Sequence, residues 1–161
     1  MKLHLGCGGF YKEDYINIDL YPKNFKVDRV YDCSEALDYP ENSVEEITST
    51  DFFEHIPRAK VPMVLKNWYQ VLKKRGNLII EVPDLDGIVR LLNKNPNDEQ
   101  AIKYLYGVQD REGQLHYWAY NKESLELLLK EAGFSKIEFT ESQDYRYKDD
   151  GMPSIRVEAK K

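Results

Sequence analysis

The chain has 161 residues, a mass of 19.0 kDa and a net charge of −5, which predicts one domain, residues 1–161, with a sizeable core. No apolar stretch approaches the length of a membrane span, and the first predicted strand leaves no room for a signal peptide. With only two cysteines, the composition favours a reduced cytoplasmic protein with no membrane partner. Neither Cys7 nor Cys33 has metal-ligand spacing with another cysteine or histidine, so we expect no metal site.

The charge distribution excludes most nucleic-acid-binding classes. Residues 1–60 contain 7 Lys or Arg against 12 Asp or Glu, whereas residues 61–161 contain 16 of each. The only dense basic cluster, residues 73–75, is predicted to end a helix, where cations suit the negative end of the dipole. We therefore expect a small-molecule substrate and no nucleic acid.

The first predicted elements are two strands joined by a glycine-rich turn. Apolar alternation in residues 3–5 leads into Gly-Cys-Gly-Gly at residues 6–9, and a second strand at residues 15–20 has Asp19 near its end. In an α/β sheet such glycines let a ligand approach the backbone, and the carboxylate accepts hydrogen bonds from both ribose hydroxyls of a nucleoside. The connection is shorter than the dozen or so residues of an ordinary parallel crossover, so its helix should be cut to about one turn.

The remaining elements predict an α/β fold. Strands are expected over residues 27–31, 44–50 and 77–84, and two alternating strands, 134–142 and 154–160, form an antiparallel pair joined by a polar loop. Helices are expected over residues 59–75, in short pieces between 85 and 106, and from the cap Asn121 to Gly133. Residues 107–120 read as an irregular lid. Five strands separated mostly by helices, followed by the antiparallel pair, describe one doubly wound sheet.

Three motifs carry a resemblance to a known family. Leu-His-Leu-Gly-Cys-Gly followed by Ile-Asn-Ile-Asp resembles the first motif of class I S-adenosylmethionine-dependent methyltransferases. Residues 53–56, Phe-Glu-His-Ile, are similar to the "LEHI" signature of small bacterial and archaeal members, and residues 82–84 match their "VPD". The resemblance covers about residues 1–140. It implies a Rossmann-like methyltransferase sheet, from which the shortened first crossover is a departure, and S-adenosyl-L-methionine as the cofactor.

The resemblance also implies which strand ends hold the cofactor. The glycine turn would pass its methionine part, Asp19 would bind the ribose, Asp32 would lie near the adenine amino group, and Thr50 and Asp51 would border the ammonium. As alternatives, Asp19 is an ordinary strand-end carboxylate, Asp32 caps an Asp-Cys-Ser turn, and residues 54–55 pair only with each other. The predicted cofactor-binding residues are Gly6, Cys7, Gly8, Gly9, Asp19, Leu20, Asp32, Cys33, Thr50, Asp51 and His55.

Two residues are candidates for the acceptor side. His116, on the predicted lid, is a candidate general base, and Asp84 is placed where a substrate meets the methyl group. A solvent-facing loop histidine is the alternative for His116. The sequence leaves the acceptor atom open, with a sugar or a glycan or natural-product precursor preferred.

Two other function classes remain open from the sequence. A nucleotide-dependent oxidoreductase is disfavoured because Tyr11 stands where G-x-G-x-x-G needs its third glycine. A methyltransferase-fold protein that binds the cofactor or a protein partner without catalysis stays as the alternative.

Overall fold

A computed structural model describes residues 1–142 and 151–161, and within them seven strands form one sheet. The strands are β1 Lys2–Leu5, β2 Ile16–Asp19, β3 Arg29–Val30, β4 Val44–Thr50, β5 Leu72–Pro83, β6 Ser135–Thr140 and β7 Ser154–Lys160. Their order is β3-β2-β1-β4-β5-β7-β6, so the chain winds outward from β1 in both directions. Strands β1 to β5 are parallel, and β7 is antiparallel to both β5 and β6. This topology confirms the predicted doubly wound sheet and its antiparallel pair. The predicted loop between β6 and β7 falls largely on residues 143–150, outside the described residues.

Within the described residues, every helix comes after β4 along the chain. They are α1 Val61–Val71, α2 Leu85–Lys94, α3 Glu99–Tyr106 and α4 Lys122–Ala132, and a 3₁₀ turn, Phe53–His55, follows β4. Helix α4 has the expected ends, because Asn121 and Ser124 form a capping box and Gly133 closes it in the left-handed conformation. None of these helices is long and apolar enough to cross a membrane.

One face of the sheet carries the hydrophobic core. Helices α1 and α4 lie against it and contribute most of their buried side chains to the same cluster as the inward residues of β1, β4, β5 and β7. Trp68 of α1 is fully buried, and its ring centroid lies 5.8 Å from that of Phe53 in the 3₁₀ turn. The core therefore holds the 3₁₀ turn that follows β4 in a fixed position.

The opposite face of the sheet is polar. His4, Asn17 and Thr48 are neighbours across three strands on this face, and the His4 Nδ1 atom lies 3.0 Å from the Asn17 Oδ1 atom. Farther along, Glu81 pairs with Arg156 at 3.6 Å. Strict alternation of apolar and polar residues along β1, β2 and β7 is typical of a sheet that packs one face only.

The expectation that helices separate most of the first five strands is wrong. The connections at residues 6–15, 20–28 and 31–43 contain turns but no helix, and only α1 lies between two of these strands. A crossover helix is stabilised by burying apolar surface of the sheet, and the second face offers almost none. The first crossover is short, as predicted, and the next two crossovers also lack a helix.

The predicted end of the first long helix is also wrong. Helix α1 stops at Val71, and residues 73–75 belong to β5, where they are exposed. Leu72 already pairs with β4, and the backbones of Arg75 and Gly76 bond to that of Lys161 at 3.1 Å, so tertiary pairing overrides the helical pattern. The ammonium of Lys161 donates to the carbonyls of Gln70 and Leu72, and so fills the place at the helix end that was assigned to the basic cluster.

Candidate functional site

A cavity of about 1020 Å³ opens at the carboxyl edge of the parallel strands. It lies where the chain direction across the sheet reverses between β1 and β4, the position at which open α/β sheets bind their ligands. Its lining includes every residue predicted to bind cofactor, together with His116. Asp84 is the one predicted site residue that does not line it.

The glycine turn after β1 has two glycines in the left-handed region, and they serve different purposes. Gly6 has φ 61°, and a Cβ atom there would lie 2.3 Å from the Phe52 ring, which packs down from the loop after β4. Gly8 has φ 50°, and a Cβ atom there would meet nothing within 4 Å. Gly6 therefore allows two loops to pack, whereas Gly8 leaves open space beside the backbone.

Replacing Gly6 with alanine should lower the free energy of unfolding by about 2 to 5 kcal/mol, because the new methyl group overlaps Phe52 and the backbone is strained. Gly8→Ala is the matched control: it has the same backbone strain without the overlap, so it should cost about 1 to 2 kcal/mol. Urea unfolding of both variants measures the difference. Equal losses would show that the Phe52 contact does not fix Gly6.

Asp19 ties the end of β2 to the glycine turn. Its Oδ2 atom accepts a hydrogen bond from the Gly8 amide at 2.9 Å, and its Oδ1 atom accepts one from the Tyr21 amide at 2.7 Å. Each carboxylate oxygen has a second lone pair. The carboxylate is therefore held rigidly at the cavity wall with capacity to accept further hydrogen bonds from a ligand.

Asp32 both caps a turn and lines the cavity. Its Oδ1 atom accepts from the Ser34 amide at 2.9 Å, which is the turn-cap geometry considered as an alternative.

The thiols of Cys7 and Cys33, which also line the cavity, are unreactive. Burial raises the pKa of Cys7 to about 12, with a further contribution from Asp19, and burial raises the pKa of Cys33 to about 12. Both cysteines are free and act as small apolar lining residues.

The chain leaves β4 through a left-handed residue. Asp51 has φ 51°, and its amide donates to the Glu81 carbonyl at 2.9 Å. Aspartate tolerates this conformation better than most residues. The bend turns the chain over the cavity and starts the 3₁₀ turn that contains Glu54 and His55.

Glu54, His55 and His116 form a cluster on the cavity wall. One potential ligand atom from each residue lies within 4.8 Å of the other two, and His116 Nε2 is 3.9 Å from Glu54 Oε1. The two imidazole rings meet edge to face with centroids 4.6 Å apart. Burial, reinforced by His116, lowers the pKa of His55 to about 4, and burial also lowers the pKa of His116, so both rings are neutral near pH 7.

Hydrogen bonds hold the segment that carries His116 over the cavity. The Tyr117 amide donates to the Glu54 carbonyl at 2.9 Å, and the His116 amide donates to the Tyr106 carbonyl at 3.1 Å. At the other side of the cavity, the Tyr21 hydroxyl donates to Glu112 at 3.2 Å. Residues 107–119 contain neither helix nor strand, as predicted, and they close the outer side of the cavity.

Asp84 has a different position from the one that the sequence suggested. Its Oδ1 atom accepts from the Asp86 amide at 3.1 Å as the cap of α2, and its Oδ2 atom lies 3.6 Å from Arg90. The first turn of a helix attracts a carboxylate to its unpaired amides, which turns Asp84 toward α2. Sequence reasoning instead missed Glu54, which is 1% exposed and faces His116. Its adjacency to His55 was visible, but a contact with a residue 62 positions later was not.

Comparison with known proteins agrees with the fold and the cavity. The model of a methyltransferase domain family matches residues 4–138. A search of curated proteins gives no match.

Solved structures with the same fold include several methyltransferases. A SAM-dependent methyltransferase from Archaeoglobus fulgidus is 17% identical, with a TM-score of 0.68 over 99% of this chain and 85% of that one. A 1,6-didemethyltoxoflavin-N1-methyltransferase from Burkholderia thailandensis, with bound S-adenosylhomocysteine, is 17% identical, with a TM-score of 0.64 over 99% and 70%. Phosphoethanolamine N-methyltransferase 2 from Haemonchus contortus, in complex with S-adenosyl-L-methionine, is 17% identical, with a TM-score of 0.63 over 99% and 48%. The chain thus spans most of the first and about half of the last.

Proposed function

Since this chain belongs to the methyltransferase domain family, we propose that it methylates a hydroxyl group of a small molecule, with a sugar or a glycan or natural-product precursor as the preferred acceptor. Methyl transfer from S-adenosylmethionine follows from the family, and the acceptor is the proposed part. The observation that supports it is the shared cavity, whose lining contains the glycine turn and Asp19 together with the Glu54–His55–His116 cluster. A cavity of this size accommodates a nucleoside cofactor and a small acceptor together.

We assign the cofactor side to the ends of β1, β2 and β4. Backbone at residues 6–9 would lie along the methionine part, because Gly8 leaves open space there. The fixed carboxylate of Asp19 would accept the ribose hydroxyls with its remaining lone pairs. Leu20, Asp32 and Cys33 would surround the adenine, and Thr50 and Asp51 would border the ammonium. His55, which belongs to the cluster, would contact the cofactor where the cofactor and acceptor sides meet.

We assign the acceptor side to the cluster and the segment above it. When bound, S-adenosylmethionine supplies the methyl group already activated as a sulfonium. The task of the chain is then to align acceptor and methyl carbon, which contributes about 7 to 11 kcal/mol in favourable cases. A hydroxyl must also lose its proton during the transfer. We assign His116, whose Nε2 atom carries a lone pair, to assist that step. A neutral amine or a thiol needs less help, so the buried cluster favours an oxygen acceptor.

The acceptor class is tested by turnover with matched panels. Purified protein is incubated with S-adenosylmethionine and one of four panels: sugars and sugar phosphates, phenols, amines, or thiols. Mass spectrometry then measures both S-adenosylhomocysteine and the methylated product. We expect turnover in the hydroxyl panels. Turnover confined to amines or thiols would contradict the proposal.

The proposal treats residues 1–161 as one domain. Strands from both ends of the chain belong to one sheet, and β1 and β7 contribute to the same hydrophobic core. Thermal unfolding followed by circular dichroism and by tryptophan fluorescence should give one coincident transition.

A further inference from the structure

We propose that Glu54, His55 and His116 bind a divalent transition-metal cation of the Zn²⁺ type, which holds the acceptor hydroxyl beside the methyl group. This inference rests on the proposed methylation of a hydroxyl and assigns how the hydroxyl is activated: the Nε2 lone pair of His116 acts through a bound cation and not as a free base. The spacing of the two cysteines led us to expect no metal site from the sequence, and the two histidines lie far apart along the chain.

The first observation is the convergence of three ligand types on one point. Glu54 and His55 are adjacent in the 3₁₀ turn, and His116 arrives from the segment above the cavity. Their potential ligand atoms are no more than 4.8 Å apart, and the two rings are inclined at 84°. At this inclination the two rings do not stack on each other.

The second observation is the way both imidazoles are held. His55 Nδ1 lies 2.9 Å from the Leu115 carbonyl, and His116 Nδ1 lies 2.8 Å from the Tyr104 carbonyl. A carbonyl oxygen only accepts, so each Nδ1 atom carries the proton and each Nε2 atom keeps its lone pair. Metal-binding histidines almost always donate their other ring N–H to a carbonyl or carboxylate in this way, which fixes the tautomer and the ring orientation.

The third observation is that the backbone around the cluster is braced. The Tyr117 amide donates to the Glu54 carbonyl at 2.9 Å, which links the two segments that supply the ligands. The carboxylate of Glu54 is 1% exposed, and a carboxylate at this depth is commonly paired with a cation or coordinates a metal.

The donor set suits zinc-like cations. Two imidazoles and one carboxylate are a known zinc ligand set that leaves a fourth position for water or substrate, and imidazole also suits iron, copper and nickel. Bonds of about 2.0 to 2.2 Å place tetrahedral ligand atoms about 3.4 Å apart, so the three side chains have to draw together by roughly 1 Å.

The open position explains the chemistry of the acceptor side. A hydroxyl bound to the cation becomes more acidic and releases its proton to solvent water. Its oxygen then forms the bond to the methyl carbon as the carbon–sulfur bond breaks. The electron pair of that bond stays on sulfur, which becomes the neutral thioether of S-adenosylhomocysteine, so charge and atoms balance.

The experiment uses untagged full-length protein that has been treated with a chelator and dialysed. Co²⁺ is added as the probe, because its visible absorption reports coordination directly, and calorimetry measures stoichiometry and affinity. We expect one equivalent of Co²⁺ to bind. His116→Ala and Glu54→Gln should each weaken binding on the order of 100-fold, since even losing an outer partner of a metal ligand costs about 10- to 100-fold.

The third histidine of the chain supplies the matched control. His4 lies on the polar face of the sheet and is bonded to Asn17 there, so His4→Gln should bind Co²⁺ like the wild type. If His116→Ala does not fold, the isosteric Glu54→Gln variant carries the comparison. Absence of stoichiometric Co²⁺ binding, or equal affinity in the wild type and both ligand variants, would overturn the inference.

Binding of S-adenosylhomocysteine to the same metal-free protein separates this inference from the proposed function. If S-adenosylhomocysteine binds and Co²⁺ does not, the metal site is wrong and methyl transfer stands. If Co²⁺ binds as expected and S-adenosylhomocysteine does not, the metal site stands and the proposed function is wrong.

Discussion

Replacing His116 with alanine lowers the rate of methyl transfer by roughly 10² to 10⁴, the usual contribution of a group that assists proton removal. The reason is the position of its Nε2 atom, 3.9 Å from Glu54 Oε1 on the acceptor side of the cavity. Affinity for S-adenosylhomocysteine should change by no more than a few-fold, because the substitution leaves Asp19 and the glycine turn unchanged. Single-turnover rates and calorimetric titrations measure the two effects separately.

The control for this variant is His4→Gln, which changes a histidine outside the cavity and should retain the wild-type rate. A full rate in His116→Ala would contradict the assignment of His116. It would also favour a nitrogen or sulfur acceptor, which needs no help with a proton.

Replacing Asp19 with alanine weakens cofactor binding by about 1.5 to 3 kcal/mol, the usual range for hydrogen bonds to a charged group, or about 10- to 150-fold. Asp19 accepts from the Gly8 and Tyr21 amides, so the substitution removes the ribose contacts and also loosens the glycine turn. Calorimetry with S-adenosylhomocysteine measures the loss.

The variant Asp19→Asn separates these two contributions. It keeps one of the two oxygens that accept from the Gly8 and Tyr21 amides, but it removes the charge and sets an NH₂ group against the other amide. We expect its unfolding temperature to lie between those of the wild type and Asp19→Ala while its affinity remains reduced. If Asp19→Ala binds S-adenosylhomocysteine with wild-type affinity, Asp19 is a strand-end carboxylate with no role in the ligand site.

The strand ends of the site were predictable from the sequence because they are local. A strand that runs into Gly6–Gly9, and an acid at the end of the next strand, need only a parallel sheet to become neighbours. The capped helix α4 was predictable for the same reason, since Asn121 and Gly133 mark its ends within a short window.

The contacts between distant segments were not predictable. Glu54 and His116 meet only because backbone hydrogen bonds carry residues 107–119 across the cavity. Residues 73–75 followed the helical pattern, yet pairing of Leu72 with β4 and of Arg75 with Lys161 made them part of a strand. Asp84 followed a motif, but the unpaired amides at the start of α2 took its carboxylate.

The sequence also contains a pattern from which the absence of helices in the early crossovers follows. The alternation Leu3-His4-Leu5 and Ile16-Asn17-Ile18 places every second side chain on a polar face, which is typical of a sheet that packs helices on one side. Such a pattern would have predicted that the early crossovers need no helices.

The most direct test of the account is thermal unfolding with increasing concentrations of S-adenosylhomocysteine, S-adenosylmethionine or NAD. A ligand at a hundredfold excess over its own dissociation constant stabilises the folded state by about 2.7 kcal/mol, which is visible as a rise in melting temperature. We predict a rise with both S-adenosyl ligands and none with NAD. No rise with either S-adenosyl ligand, or a rise with NAD alone, would contradict the assignment of the cavity to S-adenosylmethionine.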